Sequence, residues 1–267
     1  MAHQVKDIPL YSMVFVFLTL AVPVALYIYL KIRLVKELLT AAFRMAVQLT
    51  LMGIYLKYLF AYDNALVNVG WLCVMIVAAT FQAVKSSRLN KRLFFVPVFF
   101  SYLFTIYMVT LAFNAFVINI KNVFSAKYFI VIGGMILGNS LRGVIISVSD
   151  FYKTLSREKD RLIYRVVTLG SFFEALIPYI GSSLELSVKP IIATMATMGI
   201  VSIPGMMTGQ ILGGASPLVA VKYQMAIVIA VFVSVNVSVI LCLFITKRFA
   251  FDEYGNLKSD VFEKGRG

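Results

Sequence analysis

PGMMTGQILGGASP, residues 204–217, falls between two apolar runs that are each long enough to cross a membrane. As a helix, it would place Gly205, Gly209 and Gly213 one turn apart, lining a smooth groove against which a neighbouring helix can approach closely. The stretch also continues a second stripe, because Met195, Met198, Ser202, Met206 and Gln210 follow at steps of three or four. Pro204 interrupts the backbone ladder and should kink or break the helix there. Ser216 followed by Pro217 reads as an N-cap and first helical residue, opening the last span. The stretch is therefore expected to be an outer gate segment with Met206, Met207 and Gln210 as its contacts. Thioethers suit a soft ion such as Cu(I), yet methionine equally serves as adaptable core filling, so no metal site is assigned.

Composition sets the class. Of 267 residues 61% are hydrophobic and 14% charged, and the mean hydropathy is +0.90. Soluble domains carry roughly 25% charge, so this is an all-α integral membrane protein. Apolar runs near 10–30, 39–60, 69–84, 94–118, 128–149, 190–213 and 218–246 predict about seven spans in a single transmembrane domain, residues 1–267. The first run is too long for a cleavable signal peptide, and basic residues follow it. Lys31, Arg33 and Lys36 follow the first run and Lys85, Arg88, Lys91 and Arg92 the third, whereas 61–68 carries no Lys or Arg. Residues 151–165 hold five basic side chains, and Lys247 with Arg248 follow the last run. The basic side is cytoplasmic, which puts the N-terminus outside and the C-terminus inside the cell membrane. The formal charge of +13 thus reflects topology rather than nucleic-acid binding. The tail from Asp252 is short, polar and expected to be disordered.

The long cytoplasmic segment, about 151–189, contains Leu162, Val166, Leu169, Phe173 and Leu176 at steps of four and three, one apolar stripe on one helix. Arg157, Lys159, Arg161 and Arg165 lie toward its start, so the helix either lies on the lipid surface or docks on a partner. Gly170 costs such a helix roughly 1 kcal/mol against alanine, which a close backbone contact would offset.

Within the second span Arg44 and Gln48 share a face; Arg44 either snorkels to the interface or faces protein, water or substrate. In the fifth, Gly134 and Gly138 form a GxxxG pair beside Asn139 and Arg142, which fits helix packing ahead of substrate contact. His3 is the only histidine and Cys73 and Cys242 are isolated, so there is no disulfide framework, no zinc set and no Ser-His-Asp triad. Asp150, Glu174 and Glu185 are too scattered to suggest a membrane-embedded enzyme. GxxxxGK[ST] and GxGxxG are both absent, so any ATP must be bound by another polypeptide.

GGMILGNSLRG (133–143) and GIVSIPGMMTGQILGGASPLVAVKYQ (199–224) together resemble the FetB family of ABC-transporter permeases, described as iron exporters and including plant aluminium-tolerance proteins. The resemblance covers nearly the whole chain. It implies a permease subunit that is not itself an enzyme and binds no cofactor, with ATP and Mg on a separate ABC ATPase subunit and two copies of each chain. TLGSFFEA resembles the coupling segment of such permeases, with Leu169, Gly170 and Ser171 matching a Leu-Gly-small pattern. The Glu-Ala-Ala run of importers is missing, which removes one reason to read an importer. The resemblance implies iron or another metal as substrate, with Met195, Met198, Asn139, Arg44 and Gln48 as further pathway candidates. The spans lack mid-membrane carboxylates, and Arg44 and Arg142 suit an anionic organic solute such as a nucleotide sugar. A channel or secondary transporter working alone is the remaining alternative.

Overall fold

The computed structural model describes residues 7–252, 255–258 and 260–262; His3 lies outside them. Ten α-helices follow in order: α1 (Leu10–Leu18), α2 (Ala21–Tyr29), α3 (Val35–Tyr62), α4 (Ala65–Ser86), α5 (Lys91–Ala112), α6 (Ala126–Arg157), α7 (Lys159–Leu169), α8 (Phe172–Thr197), α9 (Gly205–Leu212) and α10 (Pro217–Ala250). A π-helical turn, Phe113–Val117, extends α5. Pro23 explains why the first predicted run is two helices, since it has no N–H to give the carbonyl of Thr19.

Among the described residues six segments are long and apolar enough to span: Leu10–Tyr29, α3, α4, Lys91–Val117, α6 and α10. The expected span at 190–213 is not among them. Its first residues end α8, the chain turns at Met198–Pro204, and α9 is a separate short helix. The end-to-end run here belongs to α8, whose 26 residues cover about 39 Å at 1.5 Å per residue. Its first turn lies by the end of α10, where the rings of Phe172 and Phe251 meet edge-on at 5.0 Å. Its far end lies by the start of α10, where Met198 meets Gln224. Glu185, Lys189 and several serines keep α8 below the apolarity of the six spans, so hydropathy picks out only its last residues.

The core is built around α6 and α10, which pack on one another and on α5. Lipid tails are as apolar as leucine side chains, so small residues and polar contacts drive such packing. Ser140 and Ser234, both fully buried, share a hydrogen bond of 2.9 Å. One turn on, a Cβ on Gly143 would stand 2.6 Å from Val235 Cγ1, and one on Gly133 3.0 Å from Leu72 Cδ1. The most crowded glycine is therefore Gly143, with Gly133 and the predicted Gly134 next, while Gly138 has open space within this chain. A Cβ on Gly134 would meet only the mobile end of Met75, and one on Gly138 nothing.

At the opposite end of the bundle from α7, Asp63 closes α3 in a left-handed conformation. Its carboxylate accepts from the backbone N–H of Ala126, the hydroxyl of Ser125 and the amide of Asn68, and so caps α6. At the α7 end residues 255–258 and 260–262 of the tail are described, and the rest of the stretch expected to be disordered beyond Asp252 lies outside the described residues. Asn90 donates its backbone N–H to Val261 and its side-chain amide to Asp260, and Val261 is fully buried. Gly255 stands at φ +78°, and a Cβ added there would come to 3.3 Å of the Phe172 ring.

Val235 is β-branched and stiff, so it cannot swing away from an added side chain. Gly143→Val should lower the thermal midpoint of the detergent-solubilised protein, with overpacking costing about 1–3 kcal/mol. Gly138→Ala should not lower it; equal losses from both would place the tight contact elsewhere.

Candidate functional site

The predicted site residues fall in three places. The first is the hairpin of α6, α7 and α8. The sequence stripe 162–176 predicted one helix, but Gly170 stands at φ +65° and ends α7, with its N–H donating to the carbonyl of Val166. No atom lies near a Cβ added there, so a left-handed helix stop, rather than a close contact, explains the glycine. Ser171 then caps α8, its hydroxyl accepting from the N–H of Glu174 at 3.3 Å. LGSFFE thus encodes a stop followed by a start. The predicted 151–189 connector resolves into the end of α6, all of α7 and most of α8.

Leu162 and Leu176 are buried and Val166 is half-buried, which seats the predicted stripe on the bundle. Leu169 and Phe173 remain exposed, and a second apolar face, Ile163, Tyr164 and Val167, points outward. Lys247 Nζ sits 4.5 Å from the centre of the Phe173 ring and ties the hairpin to α10. Arg157 is exposed. Arg161 pairs with Glu158 at 3.1 Å, the same Glu158 oxygen accepts from the Tyr179 hydroxyl at 3.2 Å, and Ser183 donates to Asp150 at 2.7 Å. Arg165 lines this polar cluster. Sequence reading missed the cluster because its members are far apart in the chain, although the step from Glu158 to Arg161 is a helical ion-pair spacing.

The second place is a pair of cavities where α6, α8, α9 and α10 meet. One, about 350 Å³, is lined by Asn139, Arg142, Met135, Met198 and Met206; the other, about 600 Å³, by Met195, Met198, Met207 and Met225. Pro204 and Gln224 border both. The continuous methionine stripe does not exist, because the turn at 198–204 breaks it, yet the turn folds the same methionines around a common space. Gln210 is half-buried on α9 and lines neither cavity. Gly205 and Gly209 have open space where side chains would stand, and Gly213 faces only its own helix, so the glycine groove meets no neighbour within this chain. Gln224 was missed; the signal was present, a polar side chain inside an otherwise apolar span.

The third is a wide cleft of about 1130 Å³ between α3, α4 and α6, lined by Arg44, Gln48, Gly134 and Gly138 together with Arg33, Lys36 and Glu37. Arg44 and Gln48 do share a face, as predicted, and both are exposed to this cleft. Asn139 lies on the other side of α6 and faces the methionine cavities. Groups of three or more His, Cys, Asp or Glu placed to hold a metal are absent among the described residues.

Three relatives match over most of their length. The UPF0014 membrane protein YjkA of Bacillus subtilis is 27% identical, covering 84% of this chain and 88% of its own. The probable iron export permease protein FetB of Escherichia coli is 26% identical, covering 82% and 83%. The protein ALUMINUM SENSITIVE 3 of Arabidopsis thaliana is 26% identical, covering 85% and 81%. No solved structure matches the chain significantly. Residues 10–251 match a single family from the first apolar helix to the end of the last, and the chain belongs to that family, the uncharacterised protein family UPF0014.

Proposed function

We propose that this chain is the membrane-spanning subunit of an ATP-driven ABC exporter, working as two copies beside two copies of a separate ATPase. The observation that carries the proposal is the α7 hairpin. One face of α7 is anchored to the bundle through Leu162, while Tyr164 and Val167 stand 70% and 78% exposed beside basic residues. A surface anchor needs no polar cluster holding it to α6 and α8, whereas a lever does. Closure of ATP-bound partner subunits would displace α7, and Glu158, Tyr179 and the Lys247–Phe173 contact would pass the movement to α6, α8 and α10. Such a shift requires different contact free energies in two states, which partner docking supplies.

The windows through Leu10–Tyr29 and α3 are 0% buried, and α3 makes few contacts with the bundle. A second copy would give these faces and the open Gly205–Gly209 edge a neighbour. Iron, or another metal, is the proposed cargo, in line with the Escherichia coli relative, a probable iron export permease. An anionic solute is the second reading, favoured by Arg142 in a cavity wall without a carboxylate.

Affinity purification of the tagged chain from its native membrane should bring down an ATP-hydrolysing subunit, and reconstituted complexes should hydrolyse ATP faster with iron or with a nucleotide sugar. Transport by the unaccompanied chain would overturn the ABC reading. Gly170→Val should uncouple ATP hydrolysis from transport, since a β-branched residue at positive φ is strained. Gly170→Asn, which tolerates that conformation, should retain most coupling. Equal behaviour of the two variants would remove the hairpin geometry from the mechanism. Gly209→Leu should leave the folded yield unchanged and reduce transport about tenfold, because its space is empty within one chain but is proposed to close between copies. Unchanged transport would count against a gate there.

A further inference from the structure

Six of the twelve methionines gather around the two adjoining cavities, with Met198 in the wall of both. Gln224, 7% exposed, borders both as well. Its amide nitrogen reaches the Met198 sulfur at 3.9 Å, and its buried side-chain oxygen has no hydrogen-bond partner among the described residues. A buried acceptor left without a donor costs about 1–3 kcal/mol, which a ligand at this position would relieve.

We propose that the larger cavity binds a soft monovalent cation of the Cu(I) or Ag(I) class. The ligands would be the thioethers of Met198 and Met207, with Met195 and Met225 at the entrance and the Gln224 oxygen completing the set. The donor set decides the class of ion. No carboxylate, imidazole or thiol lines this cavity, so it lacks the anionic oxygens that hold hard divalent cations. Neutral thioethers select soft ions, and a single positive charge is the cheapest to strip of water in an apolar enclosure. Arg142, which would repel a cation, lines the smaller cavity and not this one. Methionine side chains are unbranched and adaptable, so thioethers spread around about 600 Å³ can converge on one ion. Met198 ends α8 and Met207 lies on α9, so an ion between them would bridge the turn that separates these helices.

The inference goes beyond the exporter reading, adding a soft-ion site distinct from the path of the proposed iron cargo, and binding is measured on this chain alone and can fail separately. The test uses the full-length chain in detergent with Cys73→Ser and Cys242→Ala, which removes the thiols that would also take up silver. Equilibrium dialysis against Ag(I), with bound metal read by mass spectrometry, should give about one tightly held ion per chain. Met198→Leu combined with Met207→Leu, close in volume to the original, should weaken binding at least tenfold. Met13→Leu with Met108→Leu, outside both cavities, should leave it unchanged. If the double variant does not purify, each single change should still weaken binding at least threefold. Ag(I) binding that persists in these variants, or that Fe(II) or Zn(II) displaces at equal concentration, would overturn the site. Whether an ATPase co-purifies is read independently and bears only on the exporter proposal.

Discussion

The contact between α6 and α10 at Gly143 and Val235 sets the geometry of everything around it. In water a bundle is held by apolar burial, but in lipid a helix gains little by exchanging a tail for a leucine. What remains is close backbone approach and the exclusion of unpaired polar groups. Gly143 provides the first, and the Ser140–Ser234 hydrogen bond the second. With α6 and α10 locked, α4 and α5 pack on one side, where Gly133 admits Leu72 and the rings of Phe94 and Tyr152 meet at 5.1 Å. On the other side lie α8 and α9, where no comparable glycine contact draws the helices together. The methionine cavities open on that looser side.

Several polar side chains in the tight half are self-contained. Thr80 donates to the carbonyl of Ile76, Ser101 to Pro97 and Thr246 to Cys242, each four residues back on its own helix. Such bonds satisfy a hydroxyl without prescribing a neighbour. Asp63 behaves differently, gathering donors from Asn68, Ser125 and Ala126 and so joining the ends of three helices. The Glu158 cluster does the corresponding work at the other end. Between these two knots the Gln224 amide donates only to the Met198 sulfur at 3.9 Å, and its side-chain oxygen, like the hydroxyls of Thr105, Ser147 and Ser238, has no partner among the described residues.

The all-α membrane class was legible because the length of a span is set by bilayer thickness, but the count was not: about seven spans were expected and six helices are long and apolar enough among the described residues. The break at Pro204, the start of α10 at Ser216–Pro217 and the shared face of Arg44 and Gln48 were legible for local reasons of backbone and helical spacing. The role of Gly170 was misread because a 3.6-residue stripe can continue across two helices joined by one left-handed residue. The GxxxG pair named Gly134 and Gly138 and passed over Gly143 because GxxxG is a motif of spacing alone. Only the position of the facing helix decides which glycine is crowded. The methionine stripe failed as geometry yet gathered the right residues, since a turn can close on one space what a straight helix would have spread along a face.

The two ends of α8 bear on how a displacement could travel. A left-handed glycine precedes the helix, Gly170 at φ +65°, and another follows it, Gly199 at φ +85°. Between them the helix is continuous through Pro178 and Pro190. Glycine at a helix end allows reorientation with little steric cost, whereas the hydrogen-bonded interior resists bending. Pro178 and Pro190 each withhold one N–H from that ladder, so α8 has two weak points along its length as well as a glycine at each junction. Its near end carries Ser171 and Phe173 beside α7, and its far end carries Met195 and the turn into α9. On the proposed coupling, a push on α7 would reach the space between Met198 and Met207 through α8 without unfolding either helix. Separate junctions are what such a coupling requires, and a single unbroken helix through Gly170, as the sequence stripe suggested, would have fixed α7 rigidly to α8 and left it no independent movement.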